Sequence, residues 1–391
     1  MKKVTMEIAS SLDGFTRNLY HHLVDLNPNK DLICSPLSIQ TSCAMLRMGA
    51  DKDSETARQL DEGMNFNSIN VKELAERFHT VLDYYLQCRV LHMANKVYIM
   101  KRYQASQEFV KVLTQKFLSQ PENIDFSLNE QAAETINSWV KAKTNNLIKN
   151  LVSPSILNDE SRLVLVNAIH FKGEWSIKFD ENKTKREDFF LDDKNKIQAP
   201  MMNSTHNYYF AELPDLEAKA LSIPYIDTAL FLLVVLPNSI TGLKDLELKL
   251  RSTQLETITS LLTQQKVVVK LPKFKAEFEQ ELTPVFRGLG MERIFSDQAE
   301  FGKILQQGEP LKVSKIVHKA FIEVNEEGTE AAAATALVVK MIRSAPLEPK
   351  IQIFHANHPF YYTIYDANHG CLFVGNLHNP ADQLNSTLCV C

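Results

Sequence analysis

The sequence predicts an α+β fold, and three observations predict it. Segments with helical periodicity crowd the first part of the chain, up to residue 144. Alternating runs rich in β-branched residues crowd the second half. Helices and strands do not take turns in the regular pairs that a doubly wound parallel sheet requires. No composition break, low-complexity linker or internal repeat divides the 391 residues. One continuous domain over 1–391 is therefore expected, at a length above the usual domain size.

The elements follow in order. Over 6–26, Phe15, Leu19, Leu23 and Leu26 are spaced for one helix face. The apolar run 38–48 reads as a buried helix, and 54–60 as a short one entered by a capping Ser54. Segments 71–85 and 107–117 are amphipathic, and 129–144 is another helix with Asn129 as its N-cap. Strands are predicted at 162–171, 229–236, 266–271 and 311–324.

Composition excludes more than it identifies. Hydrophobic residues make up 45%, enough for a sizeable core, and the net charge of −4 points away from nucleic acid and from anionic membranes. Lys2 and Lys3 are not followed by an apolar stretch, so neither a secretory leader nor a membrane span is expected in the sequence as it stands. Two localisations stay open: an intracellular protein, or an extracellular one whose signal lies upstream. Sequons at Asn182, Asn203 and Asn385 are candidate glycosylation sites. Cys34 and Cys43 sit in apolar contexts and read as buried free thiols. Cys389 and Cys391 form a terminal pair that reads as a tail rather than a lipidation signal. No cysteine/histidine spacing suits a metal, and no cofactor is expected.

Catalytic motifs are missing from the sequence: there is no G-x-S-x-G, no H-E-x-x-H and no phosphate-binding loop. The chain is not expected to be an enzyme.

Segment 326–336, E-E-G-T-E-A-A-A-A-T-A, is the most informative stretch. Read alone, it favours an Ala-rich helix. Read as a strand, it puts Thr329, Ala331, Ala333 and Thr335 on one face, and Glu330, Ala332, Ala334 and Ala336 on the other. The first face meets no charge and nothing bulky before Leu337. Such a strand enters an existing sheet without a clash or a buried charge. The loop-like stretch that follows, with two prolines, is of a length usually reserved for function.

The chain resembles the inhibitory serpins, and insect members in particular. The resemblance runs through S-P-L-S-I at 35–39, N-A-I-H-F-K-G-E-W at 167–175 with Phe179, and L-P-K-F at 271–274. It continues through L-G-M at 289–291, V-H-K-A-F-I-E-V-N-E-E-G-T-E at 317–330, H-P-F at 358–360 and F-V-G-N-L-H-N-P at 373–380.

The resemblance implies a large mixed central sheet with additional sheets, about nine helices and an exposed reactive-centre loop near 337–353. It implies a monomer that acts as a suicide inhibitor of a serine protease. The protease cleaves the loop and is trapped as a covalent acyl-enzyme while the hinge 326–336 inserts into the sheet. Carried over by position, Glu326, Gly328, Thr329, Glu330, Ala331, Ala332, Ala333, Ala334 and Thr335 form the hinge. Ser35, Ser38, Asn167 and His318 form the polar cluster where the sheet parts, and Trp175 with Glu326 marks the start of insertion.

Lys340, Ile342 and Arg343 are the candidates for the residue before the cut bond. Arg343-Ser344 is favoured, because a long cation suits a trypsin-like pocket holding a buried carboxylate. Ile342 lies fourteen positions after Gly328, a spacing common in the family, and Arg343 lies fifteen after it, as in insect relatives. With Ile342 the target shifts to an elastase-like enzyme. A non-inhibitory serpin of the storage, carrier or chaperone kind is the other alternative. No polyanion activator is expected, since Lys72, Arg77 and His79 are offset by Glu73, Glu76 and Asp83.

Overall fold

The computed structural model describes residues 2–66, 70–88, 90–307, 309–329 and 351–380, with side chains from Ser11 onward. Among these residues are nine α-helices and sixteen strands, the α+β content the sequence predicts. The helices are α1 (Lys2–Leu26), α2 (Pro36–Gly49), α3 (Glu55–Gly63), α4 (Val71–Cys88), α5 (Gln107–Lys116), α6 (Asn129–Lys143), α7 (Leu243–Leu250), α8 (Leu255–Leu261) and α9 (Thr283–Gly288). The strands open with β1 (Leu32–Cys34), β2 (Leu91–Met100), β3 (Glu122–Ile124), β4 (Leu163–Phe171), β5 (Gly173–Glu174), β6 (Lys185–Phe190), β7 (Lys196–Leu213) and β8 (Ala218–Pro224). They continue with β9 (Leu230–Pro237), β10 (Thr263–Pro272), β11 (Phe274–Glu281), β12 (Val313–Val324), β13 (Gly328–Thr329), β14 (Gln352–His355), β15 (Phe360–Asp366) and β16 (Gly370–Leu377).

The chain groups into two compact units. The first comprises Met1–Phe171, Glu277–Phe321 and Tyr365–Gly375; the second comprises Lys172–Ala276, Ile322–Ile364 and Asn376–Cys391. In the first unit, α2 is buried along its whole length, and its longer polar side chains find partners there: Gln40 donates to the Met64 carbonyl and Arg47 pairs with Asp61. It starts at Ser35, whose hydroxyl accepts the Ser38 amide, with Pro36 in the first turn where a missing N–H costs nothing. Helix α2 packs on β2 and β4. These strands belong to a sheet ordered β3-β2-β4-β12. The β4–β12 pair is parallel, running from Leu163↔Val313 to His170↔Phe321. Every residue of β4 is buried, as its unbroken apolar and β-branched run requires.

The second unit is built on a sheet ordered β15-β9-β8-β7-β10-β14, with β6 paired to β7. Its last strand, β14, pairs parallel with β10.

Two local expectations need correction. Leu26 is half exposed, because α1 ends there and only Phe15, Leu19 and Leu23 are fully buried. Asn129 is the first helical residue of α6 and not its cap; the cap position falls on Leu128, which has no side-chain acceptor to offer. Among the described residues, no helix is long and apolar enough to cross a membrane.

Candidate functional site

Two constellations of sequence-predicted residues form, one in each unit. The first lies where β4 and β12 meet under the start of α2. Ser35, Ser38, Asn167 and His318 are all completely buried there. Asn167 and His318 are register partners across the β4–β12 seam. His318 Nε2 accepts the Ser35 amide at 3.2 Å, so its proton sits on Nδ1, which donates to Asn167 Oδ1 at 2.9 Å. The Asn167 amide donates to the Ser38 carbonyl at 2.8 Å and to Ser42 Oγ at 2.6 Å. Ser38 Oγ lies 2.6 Å from Asn167 Oδ1 and 2.8 Å from Asn95 Oδ1. Its single proton serves one of them at a time.

Burial pushes His318 down to about 3, so the ring is neutral at physiological pH. A proton on Nε2 would also face the Ser35 N–H, donor against donor. The Asn167–His318 bond spans the seam, so parting β4 from β12 would break it.

The second constellation surrounds the start of the segment predicted as a hinge. Gly328 and Thr329 form the two-residue strand β13. It pairs antiparallel with the end of β12 at Val324↔Thr329, and with β5 at Gly328↔Glu174 and Thr329↔Gly173. The Asn325 side chain accepts the amides of Glu327 and Gly328 at 3.1 and 3.2 Å and so shapes the turn from β12 into β13. Only glycine fits at 328, since a Cβ there would lie 2.1 Å from the Gly173 carbonyl oxygen.

Thr329 is fully buried, its Oγ1 2.6 Å from the Tyr225 hydroxyl. Tyr225 stacks on Trp175 with ring centroids 4.6 Å apart, and the Trp175 indole N–H donates to the Asn325 carbonyl at 2.8 Å. Trp175 thus packs in the core and bonds to the turn leading into β13.

Glu326 is almost completely buried, bound by Lys273 Nζ at 2.6 Å and Thr184 Oγ1 at 2.7 Å. Burial works against its charge, but the hydrogen bonds from Lys273 and Thr184 outweigh it and hold the carboxyl below the usual range. Glu327 pairs with Lys178, which also reaches Glu174 at 3.2 Å. The Glu327 hydrogen bond is the main reason the Lys178 ammonium holds its proton more tightly than usual.

Sequence reasoning missed Asn95, Ser42, Tyr225, Thr184, Lys178 and Lys273. Lys273 lies inside the L-P-K-F motif and Thr184 inside the Asn182 sequon, so both carried a signal. Asn182 is exposed in a short 3-10 turn, and Asn203 is half-buried within β7. Asn385, the hinge residues Glu330, Ala331, Ala332, Ala333, Ala334 and Thr335, and the candidate bond residues Ile342, Arg343 and Ser344 lie outside the described residues. Among the described residues, no cluster of three or more His, Cys, Asp or Glu could hold a metal. Arg77, weighed above as a polyanion contact, is buried against Glu73.

The model of the family described as Serpin (serine protease inhibitor) matches residues 10–380. The chain is 38% identical to antitrypsin of Bombyx mori over 355 residues, covering 90% of this chain and 89% of that one. It is 37% identical to antichymotrypsin-2 of the same organism over 353 residues, covering 90% and 92%. A solved structure of cleaved Serpin 42Da superposes with a TM-score of 0.87 at 46% identity, covering 96% of this chain and 99% of that one.

Proposed function

This chain belongs to the serpin family of serine protease inhibitors, and from that premise we propose that it is an irreversible suicide inhibitor of trypsin-like serine proteases. The protease serine attacks the Arg343 carbonyl, the Ser344 amine leaves, and the ester so formed is the acyl-enzyme. The severed hinge then adds as a new strand between β4 and β12, the family's known route, and water fails to hydrolyse the ester before the enzyme is distorted. We also take 1–391 as one domain acting as a monomer.

One observation supports this reading: the two residues of β13 are already paired on both sides, with β12 and with β5, where such a strand would begin. Its register is in phase with the seam ahead of it. Gly173 and Val324, the two partners of Thr329, are the same number of residues apart as Asn167 and His318, which face each other across β4 and β12. Continuing the antiparallel pairing brings Thr335 opposite Asn167 and His318, with its side chain on the same face as Thr329. Ala331 and Ala333 take the intervening positions on that face. All three are small, and that is the physical case against a non-inhibitory serpin.

The two Bombyx mori relatives carry names that point to trypsin and to chymotrypsin at nearly equal identity, so the target class rests on Arg343. Incubation with trypsin tests the whole reading. An SDS-stable adduct and a released peptide beginning at Ser344 are expected. Cleavage without adduct makes the chain a mere substrate, and a peptide beginning at Arg343 selects Ile342 and an elastase-like target. Cleaved protein should also withstand heat that melts the intact form, because insertion completes the sheet.

A further inference from the structure

We propose that the outer face of β7, β10 and β14 is a second contact surface for the target protease, separate from the reactive bond; this rests on the inhibitory reading above. On that face Ile353, Val268 and Thr205 stand side by side on three neighbouring strands. The next rung holds Lys266 and Asn207, and the one after it Gln264 and Tyr209. Ile353 is 64% exposed, Ile351 50% and Tyr209 48%. Single exposed apolar residues are ordinary. Here β-branched and aromatic side chains share one sheet face, and Ile351 just before β14 and Ile353 within it sit at the last strand of the sheet among the described residues, where an edge is normally guarded by charge.

Charge on this surface is uneven in a useful way. Lys270, at the margin beside His355 and Asn203, is neutralised by Glu187 at 2.7 Å. Lys266, in the middle, is exposed, and among the described residues it makes no ion pair. The face therefore offers an apolar centre, a rim of Thr205, Asn207 and Gln264, and, among the described residues, a cation in Lys266 outside any ion pair. It suits a partner surface with an apolar patch beside a carboxylate.

Chain length identifies the occupant. Ser344 precedes Gln352, the first residue of β14, by eight positions, a reach of at most about 28 Å when fully extended. A globular protease of roughly 230 residues has a radius of gyration near 17 Å and is about 45 Å across. An enzyme holding Arg343 in its active site therefore stands within its own diameter of this surface. The face is continuous with the loop the protease must grip.

The test uses the full-length protein and trypsin. Ile353→Asn, Lys266→Glu and the double variant change exposed side chains, so their melting temperatures should match the parent. The second-order rate constant for adduct formation should fall about tenfold in the double variant. The number of inhibitor molecules consumed per enzyme should stay unchanged, because partition depends on the hinge. The contribution of Lys266→Glu should shrink in 1 M salt, where the screening length is about 3 Å. Rate constants within twofold of the parent would overturn the proposal. So would sedimentation of the parent as a dimer that the double variant dissolves, which would assign the face to a second copy of the chain. Absence of any adduct with the parent protein would instead strike the inhibitory reading itself, before any variant is compared.

Discussion

The hydroxyl oxygens of Thr329 and Tyr225 lie 2.6 Å apart, both buried, so β13 is tied to the residue that follows β8. One of the two donates and the other accepts. The pair ties Thr329 to Tyr225, whose ring stacks on Trp175.

Replacing Thr329 by Arg should abolish the adduct with trypsin while leaving the loop cleavable. The guanidinium would have to occupy a fully buried position. Milder changes separate anchoring from charge. Tyr225→Phe leaves the Thr329 hydroxyl unpaired and should cost about 1–2 kcal/mol, whereas Tyr225→Phe with Thr329→Val removes both polar groups and should recover most of that loss. Thermal midpoints of the three proteins check the sign, and a double variant less stable than Tyr225→Phe would overturn it.

Gly328→Ala should expel β13 from between β5 and β12, since the added carbon would meet the Gly173 carbonyl oxygen at 2.1 Å and the Glu174 Cα at 2.7 Å. Backbone atoms on both counts leave no soft neighbour to give way. Trp175 reports the change because its indole N–H bonds to Asn325 in the same turn. The chain has two tryptophans, so in a Trp139→Phe background the fluorescence comes from Trp175 alone. An unchanged emission spectrum in the Gly328→Ala protein would sink this prediction.

Long periodic elements were legible in the sequence and pairings between distant residues were not. The buried run of α2 and the β-branched run of β4 announced themselves, because each is dictated by what surrounds it on every side. Strands β5 and β13 have two residues each, too short for any period to register. They exist because the turn at Asn325 delivers Gly328 against Gly173. Tyr225 follows the end of β8 and meets Thr329 across 104 residues, with nothing local to mark it. Asn95 joins the polar cluster only through the register that sets it opposite Asn167. The resemblance found Ser35, Ser38, Asn167 and His318 by position, but their tautomer and bonding order required the geometry.

His318 should make the fold acid-sensitive in a defined window. In the unfolded chain a histidine takes its proton near pH 6.5, while burial holds this one to about 3 in the fold. Between those values the unfolded state binds more protons, so stability is fully present above about pH 6.5. It declines as pH falls toward 3, by at most about 1.4 kcal/mol per pH unit. His318→Gln does not titrate and should show a shallower decline over the same range. Urea midpoints measured from pH 7 to pH 4 decide it, and parallel slopes for the two proteins would count against the neutral buried ring.

The register of β13 fixes where each hinge residue should land. Ala320 pairs with Ile169 in the intact sheet. A strand continuing from Thr329 in phase would separate them and bring Ala333 opposite Ala320. Directly opposed residues in an antiparallel pair have Cα atoms about 4.5–5.5 Å apart, within the span a disulfide bridges. With cysteines at 320 and 333, the intact protein should keep both thiols apart, because Ala320 is fully buried in the closed seam. After cleavage with trypsin under oxidising conditions, a 320–333 disulfide should form and survive to peptide mass spectrometry. Cysteines at 320 and 334 serve as the control, since a shift of one residue turns the second side chain to the opposite face. A bridge to 334 in preference to 333 would show the strand entering out of phase, and a bridge formed equally well before cleavage would show the seam is not closed.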